Sequence, residues 1–169
     1  MERWFLSGDR AEHYEYGLDP TLKYHVKNCM YLRARVPEPR DFAAVMQVIK
    51  ASPYRNKRMR LSGAMKSAGV EGWAGLWMRI DGLDTHILDN MDDRPIQGTT
   101  DWRTHEVVLD VPEQSQAIAF GCLLVGKGQV WLSDVRFEEV GRDVPTTASE
   151  ERPRELPHAP VDLDFASLA

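Results

Sequence analysis

The chain has 169 residues, 43% of them apolar and 28% charged, with a net charge of −5 at pH 7. That length supplies one domain with a sizeable core, and the acidic balance argues against a nucleic-acid surface, so no direct nucleic-acid partner is expected. No apolar run approaches the roughly 20 residues of a bilayer-spanning helix, and Met-Glu-Arg-Trp-Phe-Leu-Ser-Gly lacks the apolar stretch of a secretory leader, so a cytoplasmic, membrane-free protein is expected.

In chain order, residues 4–7 read as a short strand. The aromatic segment that follows (His13, Tyr14, Tyr16, Tyr24, His25) packs on the edge of the fold or lids a groove. A strand at 31–36 leads to Phe42–Lys50. There Phe42, Ala44, Met46 and Val48 line one side, and strand-like neighbours favour strand over helix. Further strands are expected at 57–66, 72–81, 86–91, 104–111, Ala117–Val125 and Gln129–Val140. Turn signals at Pro37-Glu38-Pro39, Asp81-Gly82, Gly98-Thr99-Thr100 and Pro112-Glu113 separate them. Gly126-Lys127-Gly128 predicts a hairpin between the last two strands. Cys29 and Cys122 lie in apolar settings without metal-ligand spacing, which predicts buried free thiols and no zinc. After residue 140 the composition shifts. Residues 141–169 hold four prolines and six acidic residues against three basic ones. The expectation is a folded domain over 1–140 and a flexible acidic tail over 141–169. The end of that tail, 163–168, could dock on the body or on a partner. Eight or nine short strands at this spacing predict an all-β fold, an antiparallel two-sheet jelly-roll β-sandwich.

Residues 72–102 carry the most chemistry. As a strand, 72–81 turns Ala74, Leu76, Met78 and Ile80 to one side and Trp73, Gly75, Trp77, Arg79 and Asp81 to the other. The first set is a core face. The second joins two indoles, a guanidinium and a carboxylate around a glycine, which predicts the floor of a ligand groove. Indoles suit flat apolar groups, and Arg79 can hold a carboxylate or simply pair with Asp81. The strand and loop after it offer His86, Asp89, Asn90 and Met91 as a groove wall, an amide beside an adaptable thioether. Gln47 and Arg60 are further candidates for a ligand-facing sheet. His105 leads an apolar face and reads as a histidine at the core edge. No nucleophile elbow, phosphate loop or zinc motif is present. An enzyme on this scaffold would therefore need no cofactor and would use Asp81, His86 or Asp89 as general acid.

The pieces 54–63, Thr100-Asp101-Trp102 before Glu106-Val107-Val108-Leu109, and Val130-Trp131-Leu132-Ser133-Asp134-Val135 resemble jelly-roll carbohydrate-binding modules and galactose-binding-like domains. The run from Trp73 to Trp102 is also similar to a bacterial single-domain family associated with transcriptional regulators. The first resemblance implies a β-sandwich and leaves a structural calcium open, with Asp134 at the position of the last-strand aspartate. Calcium would need several further oxygen ligands. The leading functional expectation is a small-molecule-binding sandwich holding a metabolite or a hydrophobic biosynthetic intermediate. The alternatives are a cofactor-independent cyclase, isomerase or lyase in the same groove, and an accessory ligand-sensing domain of a regulator. A homodimer stays open, because sandwich edges pair readily.

Overall fold

The strand that organises the molecule is 24 residues long, Arg58–Asp81. The sequence predicts two strands here, at 57–66 and 72–81, with a break between them. The computed structural model, which describes residues 3–148, has instead one continuous, bent strand. The bend falls where the pairing shifts register between Met65 and Ala74. It includes Gly69 at φ +59°, a left-handed conformation that costs glycine little. Numbered in chain order, the strands are β1 (Phe5–Ser7), β2 (Tyr14–Tyr24), β3 (Lys27–Ala34), β4 (Phe42–Lys50), β5 (Arg58–Asp81), β6 (His86–Asp89), β7 (Ile96–Asp110), β8 (Ala117–Val125) and β9 (Gln129–Val140). Among the described residues there is no α-helix, only two short 3-10 turns, and no helix long and apolar enough to cross a membrane.

All the strand pairs are antiparallel, and β5 belongs to two layers. Its first half lies between β7 and β9, with β3 and then β2 beyond. Its second half lies between β6 and β8, with β4 and then β1 beyond. The core fills the space between the layers. Leu61 and Met65 from one half of β5, Leu76, Met78 and Ile80 from the other, and Leu124 of β8 are all essentially inaccessible. Apolar burial of this kind is the main favourable term in folding. The N-terminal aromatic segment forms the edge strand β2, where Tyr14 is buried and its hydroxyl donates to the Asp41 carbonyl at 3.0 Å.

The predicted hairpin at 126–128 is not formed. β8 and β9 are joined by that turn but never pair, because each lies along a different half of β5. The turn is the place where the chain crosses from one layer to the other. A Cβ at Gly128 would come within 2.7 Å of the Gly69 carbonyl and the Val70 Cα, so the two crossover segments meet backbone to backbone. Cys29 and Cys122 are buried free thiols. Burial pushes the Cys122 thiol up to about 12, which keeps it protonated and inert.

Residues 141–148 run back along the open edge of β7. The Thr147 N–H donates to the Val108 carbonyl at 2.9 Å, and the Val108 N–H donates to Thr147 Oγ1 at 2.8 Å. Arg58 donates to the Val144 carbonyl at 2.6 Å. The remainder of the expected tail, including 163–168, lies outside the described residues.

Candidate functional site

Strand alternation gives β5 a second face, turned away from the core. It carries Trp73, Gly75, Trp77, Arg79 and Asp81. Neighbouring strands add Ala44 and Met46 from β4, Ala119 and Leu123 from β8, and Leu88 from β6. This outer face is apolar, which is unusual for a sheet side with no second layer over it among the described residues. Trp73, Ala44, Met46, Trp77, Ala119 and Leu123 pack there as a cluster separate from the core. Phe5, Phe42, Val48 and Leu88 stand exposed around it.

A cleft of about 220 Å³ opens on this face, lined by Ser7, Phe42, Ala44, Met46, Trp77, Arg79, Leu88, Asn90 and Leu123. Trp77 is only 6% exposed. Its indole Nε1 is buried and finds no acceptor, alone among the buried side-chain nitrogens and oxygens of the described residues. Leaving a buried donor unpaired costs about 1–3 kcal/mol. Arg79 forks onto Asp81, with Nε 2.7 Å and Nη2 3.1 Å from the carboxylate oxygens. This pair makes a polar end to an otherwise apolar cleft.

Asn90 reaches the cleft because of a tight turn. The Met91 N–H donates to Asp89 Oδ1 at 2.9 Å, and Met91 adopts φ +63°. A Cβ at Gly75 would lie 2.9 Å from Met91 Cβ and 3.0 Å from the Asn90 carbonyl. Glycine at 75 therefore lets the turn pass close to β5. Met91 itself is buried in the core, and its sulfur accepts from the Leu76 N–H at 3.3 Å.

The structure thus brings together Trp77, Arg79 and Asn90 from the sequence-derived set, with Asp81 behind Arg79. Trp73 shares the face but packs beyond the cleft. His86 sits opposite Asp81 in the register and is exposed. Asp89 is 4% exposed and does not line the cleft. Arg94 donates to both its oxygens, at 3.1 and 2.6 Å, and Thr147 Oγ1 donates at 2.5 Å. Gln47 takes the other side of β4 from Ala44 and Met46.

Arg60 lies on the outer face of the other layer, in a polar cleft of about 310 Å³ shared with Ser62, Thr104, Glu106, Arg136 and Glu138. It pairs there with Glu138 at 2.9 Å and Glu106 at 3.7 Å. Asp134 borders the same cleft. Its carboxylate is paired with Lys27 and with Arg136, which hold it below the usual carboxylate range. Among the described residues no group of three His, Cys, Asp or Glu side chains is placed to hold a metal ion. An aspartate already neutralised by two cations is a poor start for a calcium site. Asp19, an acidic residue of the N-terminal segment, is likewise occupied: it accepts from the Leu22 and Thr21 N–H groups and from Trp131 Nε1.

The cleft residues that the sequence reading did not assign are Ser7, Phe42, Ala44, Met46, Leu88 and Leu123. A signal for three of them, Ala44, Met46 and Leu123, was present. Ala43-Ala44-Val45-Met46 and 117–125 are apolar at odd and even positions alike, the pattern of strands covered on both sides.

The fold is that of carbohydrate-binding modules. The chain matches the CBM22-1 xylan-binding domain of Paenibacillus barcinonensis Xyn10C at a TM-score of 0.56 and 14% identity, over 82% of this chain and 86% of that one. It matches TmCBM61, solved with β-1,4-galactotriose, at 0.53 and 12%, over 81% and 88%. The enzymatically active domain of bacteriophage CBA120 tailspike protein 4 matches at 0.62 and 13%, over 82% of this chain but 19% of that one. At such identities the likeness is one of architecture. No protein-family model matches the chain. In sequence the chain is similar to YbfP of Bacillus subtilis (strain 168), described as an uncharacterized HTH-type transcriptional regulator, with 45% identity over 168 residues. The match takes in 98% of this chain and 57% of that relative's length.

Proposed function

We propose that this domain binds a small organic molecule in the Trp77 cleft and serves as the ligand-sensing part of a transcriptional regulator. The observation that carries the binding reading is the apolar outer face and its cleft, against which Trp77 packs with its indole nitrogen buried and unpaired among the described residues. A solvated sheet face has no reason to keep such a group, and a ligand site does. The regulator context is supported by the relative, which is longer than this chain and named for a helix-turn-helix that the described residues here do not contain. Binding is preferred to catalysis because Asp81 is forked by Arg79, Asp89 is locked to Arg94 and His86 is exposed outside the cleft, so none of the three acid candidates lines it.

The test is capture from a complex mixture. The purified chain and its Ala44→Leu variant are each incubated with a small-molecule extract, and the bound and free fractions are compared by mass spectrometry. Ala44→Leu fills the cleft floor, so a compound retained unchanged by the native chain and lost with the variant is the expected result. A compound consumed while an isomer accumulates would favour the cyclase or isomerase alternative. Equal retention by both proteins would move the ligand away from this cleft.

A further inference from the structure

We propose that the apolar outer face of β1, β4, β8, β5 and β6 is where a second copy of this chain docks, face to face, about a two-fold axis running along β8. The face extends well past the cleft. Of the eight large apolar side chains that stand exposed among the described residues, four lie on it: Phe5, Phe42, Val48 and Leu88. Phe5, Val48, Trp73 and Val125 are outside the lining of the cleft, so a molecule that fills about 220 Å³ there leaves them uncovered. A contiguous apolar patch of this extent marks an interaction surface. Its size fits a copy of the chain. β4 and β8 pair over nine residues, and β5 lies beside the same nine residues of β8. At ~3.3 Å per residue and ~4.8 Å per strand, with short β1 and β6 at the borders, the footprint is on the order of 550 Å². Two such footprints pressed together clear the roughly 1,000 Å² of a specific interface.

The register shows that the face complements itself. Directly paired residues turn their side chains to the same side of a sheet, so the rows across the face follow from the pairing. One row is Lys50, Ala117, Asp81 and His86, from β4, β8, β5 and β6. A two-fold axis along β8, lying between two stacked faces, sets each row against itself and exchanges β4 with β5. Lys50 of one copy then meets Asp81 of the other, and the reverse contact forms at the same time. The Asp81 carboxylate accepts from Arg79 at 2.7 and 3.1 Å and keeps acceptor sites for a lysine. In the other rows Met46 meets Trp77, Phe42 meets Trp73, and small Ala44 meets Gly75. An axis across the strands would instead lay the Lys50–Asp81 row on the Phe42–Trp73 row, charge against indole. With the axis along β8 the two clefts also face each other, because each takes residues from both sides of β8.

The experiment is sedimentation velocity on the full chain across a concentration series. The mass should move from one copy to two as concentration rises. Val48→Lys, on a half-exposed residue outside the cleft, should keep the native melting temperature and remain a single copy throughout. Lys50→Asp and Asp81→Lys each set like charges opposite one another twice, and each should raise the dissociation constant about tenfold. Mixed in equal amounts, these two variants restore opposite charges and should associate within about threefold of the native chain. If Val48→Lys melts early, the charge-exchanged mixture decides alone. A single-copy mass at every concentration, or a dimer that a folded Val48→Lys leaves intact, would overturn the proposal and give the face to the ligand or to a different protein. A mixture no tighter than either variant by itself would overturn the axis. None of these outcomes bears on the ligand reading, which Ala44→Leu tests separately.

Discussion

Asp89 is an acidic residue whose surroundings define its work. It sits at the end of β6, buried, with Arg94 across both oxygens and Thr147 and the Met91 N–H on the same carboxylate. Arg94 also donates to the Glu106 carbonyl at 3.0 Å, so the Asp89–Arg94 pair ties β6, β7 and the 141–148 segment together. Removing one partner of a buried pair leaves the other charge stranded. Arg94→Met should therefore lower unfolding free energy by about 3 kcal/mol, and Thr147→Val by about 1 kcal/mol. Urea titrations of both variants measure this, and a wild-type midpoint for Arg94→Met would show that the knot does not hold β6 in place. Nothing in the sequence shows this knot. Asp89 and Arg94 are close in the chain, but Thr147 is 58 residues from Asp89, in a stretch whose composition predicts a tail. Trp77, by contrast, is legible, because strand alternation alone puts it opposite Leu76 and Met78. What alternation cannot give is the burial of its nitrogen, which depends on β4 and β8 lying beside it.

Among the elements, β4 and β8 pair in register over nine residues, Phe42–Lys50 against Ala117–Val125. They come unusually close at Gly121. A Cβ there would fall 1.9 Å from the Val45 carbonyl oxygen and 2.9 Å from Met46 Cα, both backbone atoms that cannot swing aside. Gly121→Ala should force the two strands apart at the centre of the apolar face, at about 3 kcal/mol or more. It should also weaken ligand retention, because Met46 and Leu123 flank that point. A thermal melt matching the native chain would contradict the close approach. The same pair of strands shows where sequence reading stops. Their extent is plain, since apolar runs between Pro and Gly signals bound them. The layer assignment of β8 and β9 is not, because a Gly-Lys-Gly turn between apolar strands looks the same whether it folds a hairpin or crosses between sheets. The difference is made by β5, which occupies the place beside each of them.

For the molecule as a whole, the charge pattern predicts loss of stability in acid. Burial, reinforced by Arg103 and Arg94, holds His105 below its ordinary value of 6.5. As pH falls through about 6.5, the unfolded chain takes up this proton before the folded one does, so protonation favours unfolding. Asp110 is held below the usual carboxylate range by the Arg58 fork at 2.8 and 2.9 Å, so its contribution disappears at lower pH, below the ordinary value of 3.8. The melting temperature should be level above pH 7, decline toward pH 5, and decline again in stronger acid. His105→Gln should remove the first decline and keep the second. A melting temperature that rises between pH 7 and pH 5 would reverse the sign argued here.

The shared strand has a consequence for how the chain is made. β5 ends at Asp81, yet apart from the short β6 its partners are β7, β8 and β9, the last of which ends at Val140. During synthesis, a strand with apolar groups on both sides of its second half emerges from the ribosome long before anything exists to pair with it. Neither layer can close first, because each takes half of β5. Assembly waits for nearly the whole domain, which makes it slow and leaves the nascent chain dependent on protection from its neighbours. Any attempt to cut this domain down to a smaller folding unit must keep 58–140 intact.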